Sequence, residues 1–326
     1  MRVKAYCMDW HLSKSGAFHD LIIDPLQSRL DIELTDIKKW HPSPDVPQVF
    51  CQVAPPNALL ENPRAKVVWV PMWDNVYGNT REWWRALPKH LRVVCFSKAA
   101  YEQAKAAGLP AIHLTYFKNP KSFKPVTWDG ITIHYWNRTG LIGPQFLEKL
   151  CSSINADRLI FRPDIDPGVS QVMHYELPRK LGRSVVETVH ELDKQEYLGV
   201  AQRANIYVAP RIVEGVGMTF VEAMARGAAV IAFDAPTMNE YLAHSRTGYL
   251  CDNLYSRQLI TRTRNRARKL LLNQRLPYQL SDYQPWDKIK RLDWRAIGQR
   301  ARAESQLGYQ NWLNDLDSYY QFLTKW

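Results

Sequence analysis

The sequence predicts an α/β protein with parallel sheets, divided into two domains. Three observations carry that expectation. Short apolar runs alternate with helical patterns along most of the chain, which argues for strands covered by helices on both faces. The 326 residues suffice for two domains at ~150 residues each. Near the middle, Lys118–Trp128 holds two prolines and three lysines with no clear period, as a linker would.

In the first half, strands are expected near Val3–Cys7, Ile32–Leu34, Val49–Gln52, Lys66–Val70, Val93–Phe96 and Ile112–Leu114. A helix is expected over Ala17–Leu30 and another over Lys98–Ala107. Gly108 closes the second, and Ser97 stands where an N-cap would accept from free backbone N–H groups. After the linker the strand series resumes with Ile131–Tyr135, Leu159–Phe161, Ile206–Ala209 and Ala229–Phe233. A last helix is expected over Gln306–Leu323.

Composition excludes several classes. Hydrophobic residues make up 46% and charged residues 23%, so most of the chain can fold around a core. No apolar run reaches the ~18 residues of a membrane-spanning helix. The start, Met1–Tyr6, reads as a strand rather than a signal peptide, which favours a cytoplasmic location. Five scattered cysteines, Cys7, Cys51, Cys95, Cys151 and Cys251, never pair as Cys-x-x-Cys. They read as buried thiols in a reducing compartment, not as a zinc site. The net charge of +11 points to anionic partners: phosphates, nucleic acid or an acidic membrane surface. Residues 257–302 hold 13 Lys/Arg against 3 Asp/Glu, with Arg262, Arg264, Arg266, Arg268 and Lys269 crowded together. Such a segment is either a solvated helical face or a peripheral contact with an anionic bilayer. No recognised nucleic-acid motif accompanies it.

The chemistry concentrates in Ala209–Gly227. A strand ends at Pro210, a loop follows with Glu214, Gly215 and Gly217, and a helix runs from Met218 to Arg226, stopped by Gly227. Ligands of open α/β sheets bind beyond the carboxyl ends of strands. Glycines let backbone approach a ligand, and free N–H groups at a helix start attract anions. Glu222 lies one turn after Met218, at the edge of the apolar stripe Met218, Val221, Met224, Ala225. A carboxylate there needs a hydrogen-bonding partner, either a sugar hydroxyl or another protein group.

Glu214 and Glu222 stand within Glu-Gly-x-Gly-Met-x-x-x-Glu-Ala-Met-Ala-x-Gly. This block resembles the E-x7-E motif of retaining glycosyltransferases of family four, which have the GT-B fold. The match continues through Val230–Ala232, Asn239-Glu240 and Thr247–Leu250, and upstream through Tyr197–Asn205. A weaker likeness covers Val93–Pro120. The resemblance implies two Rossmann-like domains with parallel sheets facing a cleft. Residues 1–122 would bind acceptor, 123–305 would bind the nucleotide sugar, and the helix of 306–326 would return to the first domain.

The resemblance also implies roles. Glu214 would contact the donor sugar, and Glu222 would hold the nucleotide's ribose. Gly215, Gly217, Met218 and Thr219 would meet diphosphate or sugar. Arg138, in Trp136-Asn137-Arg138-Thr139-Gly140, resembles the family's phosphate-binding arginine. The expected reaction is metal-independent hexosyl transfer with retention, without a cofactor, to a glycan or lipid-linked acceptor in polysaccharide biosynthesis. The protein would be cytoplasmic and peripheral at the inner face of the membrane. A non-catalytic nucleotide-sugar or nucleic-acid binder of the same fold is the alternative. An epimerase or phosphorylase fits less well.

The chain departs from the family's pattern in four places. Leu141–Phe146 lacks the lysine that usually follows the arginine. Pro236-Thr237 stands for Gly-Gly. On the acceptor side, Trp73 precedes Asp74 where a histidine is usual, and the glycine-rich turn after the first strand is reduced to Ser15-Gly16. Gly16, Trp73 and Asp74 are therefore the acceptor-side candidates. His11, His19 and His41 read more simply as structural. Asp164-Ile165-Asp166, between prolines, reads as a turn rather than a metal motif. Neither G-x-G-x-x-G after the first strand nor G-x-S-x-G is present, which disfavours a dehydrogenase and a hydrolase.

Overall fold

A computed structural model describes residues 1–43, 45–139, 142–164, 175–190, 194–251 and 284–326. Gly140, Leu141, Asp166 and the basic residues 257–283 lie outside the described residues. Backbone contacts divide the chain into two compact units. The first comprises Met1–Phe117, Val213–Val216 and Gly308–Trp326; the second comprises Lys118–Ile212 and Gly217–Leu307.

The first unit holds a six-stranded sheet of β1 (Arg2–Cys7), β2 (Asp31–Asp36), β3 (Gln48–Cys51), β4 (Val67–Val70), β5 (Arg92–Cys95) and β6 (Ala111–His113). Its order is β2-β1-β3-β4-β5-β6, and every pair is parallel. Runs such as Gln48–Cys51 and Val67–Val70 are buried throughout, because helices and loops cover both faces. Trp69 and Trp84 anchor the core with Phe50 and Leu91, and truncating Trp84 would cost roughly 3–5 kcal/mol.

Two local expectations change here. The helix expected over Ala17–Leu30 is present but shorter, continuous over residues 17–26, and widens to a π-turn over His19–Ile23 before its last turn, Asp24–Leu26. Pro25 lacks an N–H, so the ordinary ladder cannot pass through it. Ser97 takes the N-cap position of the Lys98–Ala106 helix with extended backbone, but its hydroxyl makes no capping bond; the side chain is buried instead. The glycine at the other end behaves as expected, with Gly108 N–H donating to Lys105 O.

The second unit holds β7 (Thr132–Trp136), β8 (Arg158–Arg162), β9 (Lys180–Leu181), β10 (Ser184–Thr188), β11 (Ile206–Val208), β12 (Ala229–Phe233) and β13 (Tyr249–Cys251). The order is β13-β12-β11-β7-β8-β10-β9, parallel except for the β9–β10 edge. The apolar-run pattern missed β9, β10 and β13. In β10 buried and exposed residues alternate, and Val185-Val186 is too short an apolar run to stand out.

The C-terminal helix is longer than the pattern suggested, one helix over Trp294–Thr324. Its first-unit part packs Trp312 and Tyr319 against Phe96. Arg92 donates to Phe322 O at 2.7 Å and lies 4.2 Å from the Trp326 ring centroid. All five cysteines are buried free thiols, as expected.

Each sheet reverses its direction of growth once. In the first unit this happens between β1 and β3, and in the second between β7 and β11. At such a switch point the loops leave adjacent strands in opposite directions, which opens a crevice beyond the carboxyl ends.

Candidate functional site

At the second unit's switch point, β7 runs into Asn137-Arg138-Thr139 and β11 into Ala209-Pro210. Asn137 is fully buried; its N–H donates to Arg162 O at 2.7 Å and its Oδ1 accepts from Tyr135 at 3.0 Å. This fixes the turn that presents Arg138. Thr139 Oγ1 donates to Pro210 O at 2.9 Å and so ties the two exits together. Two guanidinium groups flank Trp136, Arg138 at 4.9 Å and Arg162 at 4.1 Å from its ring. Asp164, half of the candidate metal motif, accepts from Arg162 Nε at 2.7 Å.

The Met218–Arg226 helix begins at Gly217, whose φ of 74° lies in the left-handed region. A Cβ there would come within 1.9 Å of the Phe220 ring, so only glycine serves. The first helical bond runs from Phe220 N to Gly217 O at 3.0 Å. The N–H groups of Met218 and Thr219 precede it, as in any helix start. The Thr219 hydroxyl accepts from Tyr207 at 2.7 Å.

Glu222 is largely buried and accepts from Lys118 Nζ at 2.7 Å. Sequence reasoning placed Lys118 in the linker and missed it, since no motif spacing relates it to Glu222. Beneath the helix lies a polar core. Burial, then the nearby Arg226 and Arg162 cations, lower the His134 pKa to about 3, so the ring is neutral. It stacks on Tyr207, with centroids 5.6 Å apart. Burial, then the Glu222 charge, push Tyr197 up to about 12. Arg226 is buried, and its Nε and one terminal nitrogen have no hydrogen-bond partner among the described residues. Burial pulls its pKa down, with Glu222 opposing. Around this helix and the β7 exit stand Arg138, Arg162 and Lys118, with Asp164 paired to Arg162 and Glu222 to Lys118 among the described residues. A guanidinium such as that of Arg138, together with helix-start N–H groups, suits an anion.

A cavity of about 370 Å³ lies at the other end of the same helix, against Arg226, Gly227, Trp128 and Arg302. It is at the amino ends of the strands, away from the glycine loop.

In the first unit, Glu214 is buried, with 7% exposure. A Cβ on the neighbouring Gly215 would sit 3.1 Å from Met72 and 3.3 Å from Asp74 Oδ1, so this loop lies directly on the exit of β4. Trp73 and Asp74 begin the short helix Trp73–Val76 there. Gly16, at φ 62°, closes the π-turn His11–Ser15 that follows β1.

At the β1–β3 switch point stands a hydrogen-bonded chain. Ser15 Oγ lies 2.9 Å from His11 Nδ1, and His11 Nε2 makes a short bond to Gln52 Oε1. Gln52 Nε2 donates to Asn75 Oδ1 at 2.8 Å. With Gln52 Oε1 accepting, the His11 proton is assigned to Nε2, and Nδ1 accepts from Ser15. Burial lowers the His11 pKa, with the Gln52 bond opposing, so the ring is held neutral. His19 and His41 are exposed.

Comparison with known proteins agrees with this fold. Residues 180–284 match the family model described as Glycosyl transferases group 1. The chain is similar in structure to sucrose-phosphate synthase from Thermosynechococcus elongatus, with a TM-score of 0.58 and 14% identity over 99% of both chains. HepE of Anabaena, solved with UDP, gives a TM-score of 0.60 at 13% identity over 98% of this chain and 100% of that one. A glycosyltransferase from Rickettsia africae gives 0.58 at 13%, over 99% and 98%. No curated protein matches the chain in sequence. The fold is GT-B, two Rossmann-like units each built on a parallel sheet.

Proposed function

We propose that the protein is a retaining glycosyltransferase using a nucleotide-sugar donor. The observation that carries this reading is the assembly at the second unit's switch point. There Arg138 follows β7, Thr139 is bonded to the β11 exit, and the helix that Gly217 starts carries Glu222, paired with Lys118. Lys118 occupies Glu222 Oε1, and the second oxygen can accept from a ribose hydroxyl. Arg138 and the N–H groups of Met218 and Thr219 take the charge that develops on the departing diphosphate. Glu214 contacts the sugar beside its reacting carbon.

In the transfer, the bond from C1 to the diphosphate oxygen breaks as the acceptor oxygen bonds to C1 on the same face. The acceptor proton passes to the leaving phosphate oxygen, so no protein base is required. The charge is handled by side chains and backbone N–H groups, and the reaction proceeds without a divalent metal. A UDP donor is favoured by analogy with HepE, which was solved with UDP.

The acceptor is a glycan or lipid-linked sugar of polysaccharide synthesis, reached at the inner membrane face. The charge of residues 257–302 supports that location. No helix among the described residues is long and apolar enough to cross a membrane. A non-catalytic binder would retain the donor intact. Incubation with a panel of nucleotide sugars, with and without acceptor glycosides, separates the two: transfer releases free nucleoside diphosphate, and its absence across the panel rejects the enzyme.

A further inference from the structure

We infer that the cavity at the amino edge of the second unit's sheet is a binding site for a small phosphomonoester, its phosphate met by Arg295 and Arg302 and its organic body laid against Trp128. The inference goes beyond the proposed transfer, because the groups it uses lie at the end of the strands opposite Arg138 and Gly217.

The cavity holds about 370 Å³, near the small end of the ~300–1,000 Å³ typical of ligand sites. Its walls come from the segment before β7, from the C-terminal end of the Met218–Arg226 helix, and from the Trp294–Thr324 helix. Arg295, Gln299 and Arg302 are spaced i, i+4 and i+7, so they share one face of that last helix. Gly298 lets the face come close, since a Cβ there would collide with Gly227 O and sit 2.6 Å from the Trp128 ring. The half-buried Trp128 is packed against the helix at that point and forms an apolar wall.

The carrying observation is which hydrogen-bonding groups remain free. A helix C-terminus ordinarily presents bare carbonyls and disfavours an anion. Here those carbonyls are occupied. Ala225 O accepts from Arg302 Nη1, Arg226 O from Val126 N at 2.9 Å, and Met224 O from Gly227 N at 2.9 Å. Arg302 Nη2 also donates to Pro120 O at 3.1 Å, which fixes the guanidinium and leaves its other N–H groups for a ligand. Arg295 is exposed and makes neither a hydrogen bond nor an ion pair among the described residues. Asp129 is the one carboxylate in the lining, and the buried Arg226 adds a cation behind the wall. Two guanidinium forks can address the several oxygens and the double charge of a phosphomonoester, more than a carboxylate offers. The volume and the indole then leave room for an organic body.

Calorimetry at low salt tests this with phenyl phosphate, glycerol 3-phosphate, inorganic phosphate and phenol. Phenyl phosphate should bind most tightly and inorganic phosphate more weakly, while phenol should not bind. Arg295→Gln should weaken phenyl phosphate roughly 10-fold or more, because a charged hydrogen-bond donor is lost. Asp129→Asn should tighten it, because a repelling charge leaves the site. Both side chains are exposed, so each variant should keep the parent's melting temperature. Arg138→Gln, at the opposite end of the strands, should leave this binding unchanged.

The inference is overturned if no ester binds the parent, or if inorganic phosphate binds as tightly as phenyl phosphate. It is also overturned if Arg295→Gln binds as the parent does, or if Asp129→Asn binds no more tightly. Loss of ester binding in Arg138→Gln would assign the binding to the proposed donor site and reject this one. If vesicles carrying phosphatidic acid bind through Arg295 while the soluble esters do not, the face is a membrane contact and the small-molecule site is rejected.

Discussion

The two switch points share a topology and differ in electrostatics. Between β7 and β11 the exits carry Arg138 and the Arg162–Asp164 pair, with the Lys118–Glu222 pair on the adjoining helix, over a polar core in which His134 is kept neutral. Between β1 and β3 the exits carry a neutral chain of Ser15, His11, Gln52 and Asn75 beside an exposed indole. The sheets dictate where a ligand can sit; the residues just past each strand dictate its charge. One crevice is lined by charged side chains and the other by uncharged ones.

The largest effect expected from this contrast is at Glu214. In the proposed role, Glu214→Gln keeps the shape and removes a charge beside the reacting sugar. Turnover should fall on the order of 10²-fold or more, while the melting temperature holds. A near-parental rate would remove Glu214 from the chemistry.

Next comes the nucleotide side. Glu222→Gln should weaken UDP by roughly 1.5–3 kcal/mol in calorimetry, because a hydrogen bond to a charged group is lost. Lys118→Met should destabilise the fold as well, since it leaves a largely buried carboxylate without its cation. Unchanged UDP affinity in Glu222→Gln would make that pair purely structural.

A third test concerns the neutral histidine beneath the helix. The folded pKa of His134 is about 3 against an ordinary 6.5. Between those values the unfolded chain binds a proton that the folded chain refuses. Stability therefore falls as pH drops from 6.5 towards 3, by up to about 1.4 kcal/mol per pH unit from this group. His134→Leu should flatten that part of the profile in urea titrations, and an unchanged slope would contradict it.

The smallest expected effect is that of a chelator. With the diphosphate met by Arg138 and backbone N–H groups, excess EDTA should leave the transfer rate unchanged. A rate that vanishes and returns with manganese would overturn the metal-free route and turn attention to Asp164.

Much of the second unit was legible in the sequence. The Met218–Arg226 helix begins and ends where Gly217 and Gly227 place it, because a positive φ is a local demand that glycine alone meets cheaply. The parallel strands were legible because burial on both faces writes continuous apolar runs. The π-turn after β1 and the short alternating strand β10 were not, since their patterns are brief and mixed.

What the sequence determined by itself is what neighbouring residues decide: strand runs, the glycine-bounded helix, and the spacing of Glu214 and Glu222. Only the tertiary structure joined residues far apart in the chain. Lys118 reaches Glu222 across 104 positions, and His11 reaches Gln52 across 41. Likewise Val213–Val216 clusters with the first unit although its neighbours on both sides belong to the second. The physical reason is the parallel sheet itself. Each crossover carries the chain away and returns it beside an earlier strand, so residues distant in sequence meet at one carboxyl edge. Pairing across that edge leaves no period or spacing in the sequence to read.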